Sequence, residues 1–364
     1  MFNFVSYSPA NEPPSSPIPD REHATKNPAA SPFILPPEYF NSLKFIHVIC
    51  AMLFAAVVGN IPWENVRDFQ FIDRENYYYY FTYGQNILEY TKLTEWYHYL
   101  TNEVLWHLTI PYILSKYNVS ITLVFDCITQ FTLFTFALFL SRNKGLAGVL
   151  LLFNPLLMTL AFDQLRSALS FSLLLWAYML PKKMLPIALM LVLAAPLIHT
   201  SSILFVLIYA CLTALSYVQS KFSLNKLIVV SMLVFAGLIM SLAFGELFHY
   251  VLSLVGDRRA ERVLADSSSG IKYTSFWFLF LVLILFQRPD FFNKITRNYS
   301  VIILSFVSFN TLFGGYSLRF LAVSLPFLVI TMLELNRISR FIAITLFAVY
   351  ASIQWYYWYH VGMV

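Results

Sequence analysis

Three basic side chains set beside long hydrophobic runs are the first residues here that could do chemistry. Arg166 stands in DQLRSALS, His199 in LIHTSS and Arg319 in GGYSLRF. An arginine in an apolar span costs roughly 2.5–3.5 kcal/mol to insert, so each asks for a partner or a task. Acidic groups accompany further arginines in two other stretches. Arg67, Asp73, Arg74 and Glu75 form one set, and the run DRRAER (Asp257, Arg258, Arg259, Glu261, Arg262) forms the second. Guanidinium groups bind phosphate oxygens bidentately. A carboxylate can activate a hydroxyl or stabilise an oxocarbenium-like centre. Tyr77–Tyr80 and Trp355–Tyr359 add rings that could stack on the apolar faces of sugars. These residue types together suit an anionic, lipid-linked sugar substrate, with Arg166, His199 and Arg319 on its phosphates.

Plainer explanations exist for every one of these residues. Arg166 could pair with Asp163, one turn earlier on the same helical face. His199 could cap a helix, and Arg319 could reach lipid headgroups. DRRAER reads equally as a solvated turn, and the aromatic runs as an interfacial belt. What these explanations leave aside is the joint pattern of several arginines and an acidic loop on one side of the chain.

The elements that must position these groups are transmembrane helices. The 364 residues are 59% hydrophobic and 12% charged, about half the charge of an ordinary soluble domain, which carries roughly 25%. Apolar runs of about 18 residues select helices, since backbone groups in hydrocarbon must satisfy one another. The net charge of +5 is small for the length. It reads as loop lysine and arginine and gives no nucleic-acid footprint. Nine of the seventeen prolines fall in the first forty residues, a composition that predicts a disordered tail over residues 1–42. That tail lacks the pattern of a signal peptide, so the first span, Leu43–Ile61, is expected to be retained. Further spans are expected at Ile121–Leu140, Ala147–Ala161, Ala168–Leu180, Leu185–Ile198, Ile203–Tyr217, Leu227–Leu247, Phe276–Phe286, Ser300–Phe313, Leu321–Leu333 and Phe341–Trp355. Cys50, Cys127 and Cys211 each lie in an apolar run and are expected to be unpaired thiols.

Charge sets the orientation. Arg142 with Lys144, Lys182 with Lys183, Lys221 with Lys226, the group Arg288, Lys294 and Arg297, and Arg337 with Arg340 occupy alternate connections. The positive-inside rule places these, and the tail with Arg21, Lys26 and Lys44, in the cytoplasm. Parity then excludes a span at Leu100–Tyr117, which is expected to lie at the outer surface or re-enter the membrane, with Asn102, Glu103 and His107 at the interface. The expected fold is all-α, a bundle of about eleven spans at residues 43–364, with outer loops over 62–118 and 248–272. Other chemistries find little support. Glu103 and His107 lack the second histidine of a metal-binding HExxH pair. No phosphate loop, dinucleotide fingerprint or clear internal repeat occurs, and His47 reads as a helix-end residue.

At these residues the chain resembles the EpsG-type branch of the Wzy-like bacterial polysaccharide polymerases, which make O-antigen, capsule and related glycans. The likeness rests on Arg67 followed by FIDRENYYYYF with Asp73, Tyr77 and Tyr80, on QLRSALS with Gln164, Arg166 and Ala168, on His199-Thr200-Ser201-Ser202, and on Arg319-Phe320. It covers roughly residues 43 to 340. Ser167 stands where that family commonly has Gln, and the proline-rich tail is outside the pattern. The resemblance implies a GT-C-like membrane glycosyltransferase of the bacterial cytoplasmic (inner) membrane. Such an enzyme moves a growing glycan from an undecaprenyl-diphosphate carrier onto a new lipid-linked repeat unit at the periplasmic face. It implies Asp73 as general base, with Glu75 second. Arg166, Arg319, His199, Arg67, Tyr77 and Tyr80 would contact substrate, without metal or other cofactor. Membrane lipids, a flippase and a chain-length regulator are the implied partners. A flippase for the same oligosaccharide, a sugar O-acyltransferase using His47, and a non-enzymatic assembly partner are the alternatives.

Overall fold

The protein's structure, a computed structural model, describes residues 43–66, 70–83, 96–222, 224–244, 250, 271–313 and 317–360. The proline-rich tail, Arg67 and the DRRAER run lie outside the described residues. Every regular element among the described residues is helical. In chain order the α-helices are α1 (Phe45–Gly59), α2 (Trp63–Val66), α3 (Ile72–Thr82), α4 (Trp96–Thr101), α5 (Val104–Tyr117), α6 (Ile121–Leu150), α7 (Pro155–Phe162) and α8 (Leu165–Met179). They continue as α9 (Leu185–Ile198), α10 (Ser202–Lys221), α11 (Lys226–Phe244), α12 (Ile271–Leu285), α13 (Ile295–Phe313), α14 (Ser317–Leu333) and α15 (Arg337–His360).

Four stretches among the described residues are long and apolar enough to cross a membrane: Ile121–Leu150, Ser202–Gln219, Lys226–Ala243 and Arg337–His360. Shorter apolar helices occupy Phe45–Gly59, Leu165–Met179, Thr274–Leu285 and Arg319–Leu333. Large apolar side chains face outward on many of them, as with Phe45, Leu146, Leu227, Phe278 and Phe341. Helices of this length and such an exposed apolar surface are compatible with a multi-pass membrane protein. Cys50, Cys127 and Cys211 are free thiols.

α13 sits at the centre. Val301, Ile302, Ile303, Leu304, Phe306 and Val307 are all buried, and a helix buried on every side over nearly two turns belongs inside a bundle. It packs on α10, α11, α12 and α14. Gly237 permits the close approach of α11, because a Cβ there would stand 2.6 Å from Ser305 Cβ and 2.7 Å from the Ile302 carbonyl. A second, smaller apolar cluster joins Trp106, Ile110, Ile121, Phe125, Leu165 and Ile198, with Tyr77 and Phe81 against it. This cluster seats α3 and α5 on the ends of α6, α8 and α9.

Polar contacts gather at two ends of the bundle. At one end, Glu334 binds Lys144 at 2.6 Å, Lys294 at 3.3 Å and Arg297 at 2.5 Å. Lys226 donates to the carbonyls of Leu285 and Gln287, and the Gln287 side chain accepts from Asn336 N–H at 3.0 Å. Several of the lysine- and arginine-bearing connections grouped by charge alternation therefore meet here. At the other end Arg74 binds Asp126 at 2.7 Å. From Asp126 to Lys144 along α6, at 1.5 Å per residue, is about 27 Å, close to the roughly 30 Å of a bilayer's hydrocarbon.

Two expected elements differ. Ala147–Ala161 is not one continuous helix but is interrupted at Leu151–Asn154, and just before it Gly145 kinks α6 with φ 63° and ψ −155°, a conformation essentially reserved for glycine. α6 then ends at Leu150, and a new helix starts where the Asn154 side chain accepts from Leu156 N–H ahead of Pro155. Leu100–Tyr117 is likewise broken, between α4 and α5, at Glu103 with φ 50° and ψ 51°. Glu103 is 1% exposed and His107 is buried, because α5 packs against α9.

Candidate functional site

The second polar end is built on α3, α5, α8 and the α9–α10 turn. α3 is short, and its amphipathic sequence alone would not hold it helical in water. Its start is fixed from outside, since one Asp163 oxygen accepts from the N–H of Asp73 at 2.8 Å and of Arg74 at 3.3 Å. A carboxylate at this point satisfies orphan amides and faces the positive end of the helix. Phe71 stacks on Phe162, and Tyr77 meets Trp106 and Phe125 edge-on. So anchored, α3 presents Asp73 and Tyr77 four residues apart on one face, their Cβ atoms about 6 Å from one another.

Around Tyr77 the structure assembles residues from three distant segments. Arg166, in the first turn of α8, donates from Nε to the Tyr77 hydroxyl at 2.6 Å and from Nη1 to Glu103 Oε2. Its guanidinium also lies 4.9 Å from the centroid of the Tyr77 ring. Among the described residues Arg166 Nη2 makes no hydrogen bond, and the side chain is 24% exposed. The other Glu103 oxygen lies 2.7 Å from His199 Nδ1 and accepts from Thr200 N–H at 3.2 Å. Thr200 Oγ1 in turn donates to the Leu100 carbonyl at 2.9 Å. One buried carboxylate therefore ties α5 to both Arg166 and His199. The left-handed backbone of Glu103 is the kind of local strain that a surrounding network must hold in place.

Tyr77 has its ionisation pushed up to about 12. Burial is the main cause, and the Asp73 and Glu103 carboxylates add to it against the opposing Arg166 charge. The phenol is therefore neutral at physiological pH and serves Arg166 as a hydrogen-bond acceptor. One turn away, Arg319 Nη2 lies 3.4 Å from Asp73 Oδ2, with both side chains partly open to solvent.

The expected residues divide accordingly. Asp73, Tyr77, Arg166, His199 and Arg319 come together at one end of the bundle. Glu75 lies two positions past Asp73, about 200° around the helix. Tyr80 stacks edge-on with His107, at 5.2 Å between ring centroids, and is not among the contacts of Arg166. Trp355 and Trp358 pack around Trp63 and Phe153, so these two rings are packing residues. Arg166 does not pair with Asp163, which caps α3 instead.

Glu103 and Asp163 are the residues that sequence reasoning missed as parts of this site. For Glu103 a signal existed, because it is the sole acid between Trp96 and Tyr117. Searches against protein-family models, curated proteins and solved structures return no match for this chain. The functional reading therefore rests on the site alone.

Proposed function

We propose that the protein is a membrane glycosyltransferase that polymerises lipid-linked oligosaccharide repeats at the outer face of the bacterial cytoplasmic membrane. In this reading the chain crosses about eleven times, with the pieces either side of Leu151–Asn154 making one broken crossing, in a GT-C-like bundle. The observation that carries the reading is the convergence of Arg166, His199 and Arg319 beside the carboxylates of Asp73 and Glu103. Nη2 of Arg166 and the exposed fork of Arg319 would hold a diphosphate, whose oxygens accept bidentate bonds.

The step is a displacement at the donor's anomeric carbon. The acceptor hydroxyl oxygen forms the new glycosidic bond, and the bond from that carbon to the carrier's diphosphate oxygen breaks. The electron pair leaves with the diphosphate, whose growing charge the arginines offset. The hydroxyl proton passes to Asp73, which Arg319 holds near the reacting centre. Glu75, on another face of α3, is a weaker choice of base. Undecaprenyl diphosphate is the expected carrier, and membrane lipids, a flippase and a chain-length regulator are the expected partners.

A flippase is the second reading, and it wants cationic groups along a path through the bundle. Between the two polar ends the central helix α13 offers Ile302, Ile303, Phe306 and Val307 instead. Purified protein incubated with lipid-linked repeat units, without nucleotide, should yield a polymer ladder on a gel. Arg166→Ala and Arg319→Ala should leave single repeats. A ladder from both variants equal to that of the unaltered protein would refute the proposal.

A further inference from the structure

We infer that Glu103 is a built-in counter-charge, which holds the Arg166 guanidinium in place and keeps diphosphate binding there reversible. The inference rests on the diphosphate reading above. An arginine only 24% exposed needs an anion whether or not substrate is present, since leaving a largely buried charge unpaired is destabilising. Glu103 supplies that anion from a position 1% exposed, where neither water nor substrate displaces it readily. It takes Nη1, while Tyr77 takes Nε. Nη2 makes no hydrogen bond among the described residues and is left to a ligand.

A phosphate oxygen accepting from Nη2 would then stand about 5 Å from the Glu103 carboxylate, by ordinary hydrogen-bond lengths. The two anions repel, so the guanidinium's attraction for phosphate is partly cancelled in advance. His199 and the Thr200 amide hold the other carboxylate oxygen, which stops Glu103 from swinging aside to relieve that repulsion. Such an arrangement suits a catalyst that must release a charged carrier after every addition. Glu103 is on this account a positioning residue.

The sign of its effect separates this role from a merely structural one. Glu103→Gln keeps the shape and one acceptor oxygen while removing the charge. Repulsion at about 5 Å corresponds to about fourfold in affinity at the dielectric of water and a few hundredfold at an effective value of 20. The experiment measures binding of an isoprenyl diphosphate to the full-length protein in detergent by titration calorimetry. Inorganic pyrophosphate serves as a headgroup-only arm. Glu103→Met, uncharged and of similar length, provides a second variant should the first fail to fold. Tighter binding by at least about fourfold in either folded variant, with turnover slowed by retained carrier, is the expected result. Equal or weaker binding by the variants, with clear binding by the unaltered protein, overturns the counter-charge role alone. No binding by any of the proteins overturns the diphosphate reading, and this inference with it.

Discussion

Removing the Asp163 carboxylate should loosen one helix and leave the bundle standing. Asp163 is the external cap of α3, bonded to the amides of Asp73 and Arg74. Loss of such a cap costs about 0.5–2 kcal/mol, and loss of its charge at the helix start about 0.3–1 kcal/mol more. Asp163→Ala should therefore lower the free energy of opening α3 by about 1–3 kcal/mol, whereas Asp163→Asn keeps an acceptor and should lose only the charge contribution. Hydrogen exchange followed by mass spectrometry reads this directly, since protection tracks local opening. With about 1.4 kcal/mol per tenfold, amides of α3 in the alanine variant should exchange about five- to 150-fold faster. In the asparagine variant the factor should be about two- to fivefold. Amides of α13, buried at the centre, should be unaffected in both. Because α3 carries Asp73 and Tyr77, polymer formation should fall in the same order. Unchanged exchange in α3, or equal acceleration across α3 and α13, would refute the capping argument.

Two further predictions concern the remainder of the bundle. Glu334 is held below the usual carboxylate range. Burial alone would raise it, but bonds and charge from Lys144 and Arg297 prevail. Its stabilisation should thus be complete above the unfolded value of 4.5 and disappear as pH falls through the lower folded value. Glu334→Gln should destabilise the protein by about 2–4 kcal/mol at neutral pH, somewhat under the figure for a fully buried pair, and flatten the melting temperature against pH below about 4.5. A variant whose acid profile matches the unaltered protein would exclude this role. Gly237→Ala should cost about 1–3 kcal/mol through overpacking, because the neighbours of the new Cβ at 2.7 and 2.8 Å are backbone atoms of Ile302 and Phe306. A melting temperature within a degree of the original would show that α11 and α13 can separate freely.

Much of the fold was legible in the sequence for local reasons. Apolar runs and the clusters of basic residues between them involve residues a few positions apart, and each acts through nearby chemistry. The break within the expected span Ala147–Ala161 escaped because hydrophobicity registers neither the helix end at Leu151 nor the side-chain cap from Asn154. The site was legible in its cations and in Asp73 and Tyr77, which are conspicuous in an apolar chain. Their partners were not. Glu103 reaches Arg166 and His199 across 63 and 96 positions, and Arg319 reaches Asp73 across 246.

Composition by itself determined an all-helical chain with helices long and apolar enough to cross a membrane, because hydrocarbon leaves the backbone few alternatives. It also determined that the lone arginines must find counter-charges. Which acid meets which arginine was decided only by tertiary packing. Ion pairing acts over a few ångströms in space, and no local pattern records which distant segments the bundle will bring that close.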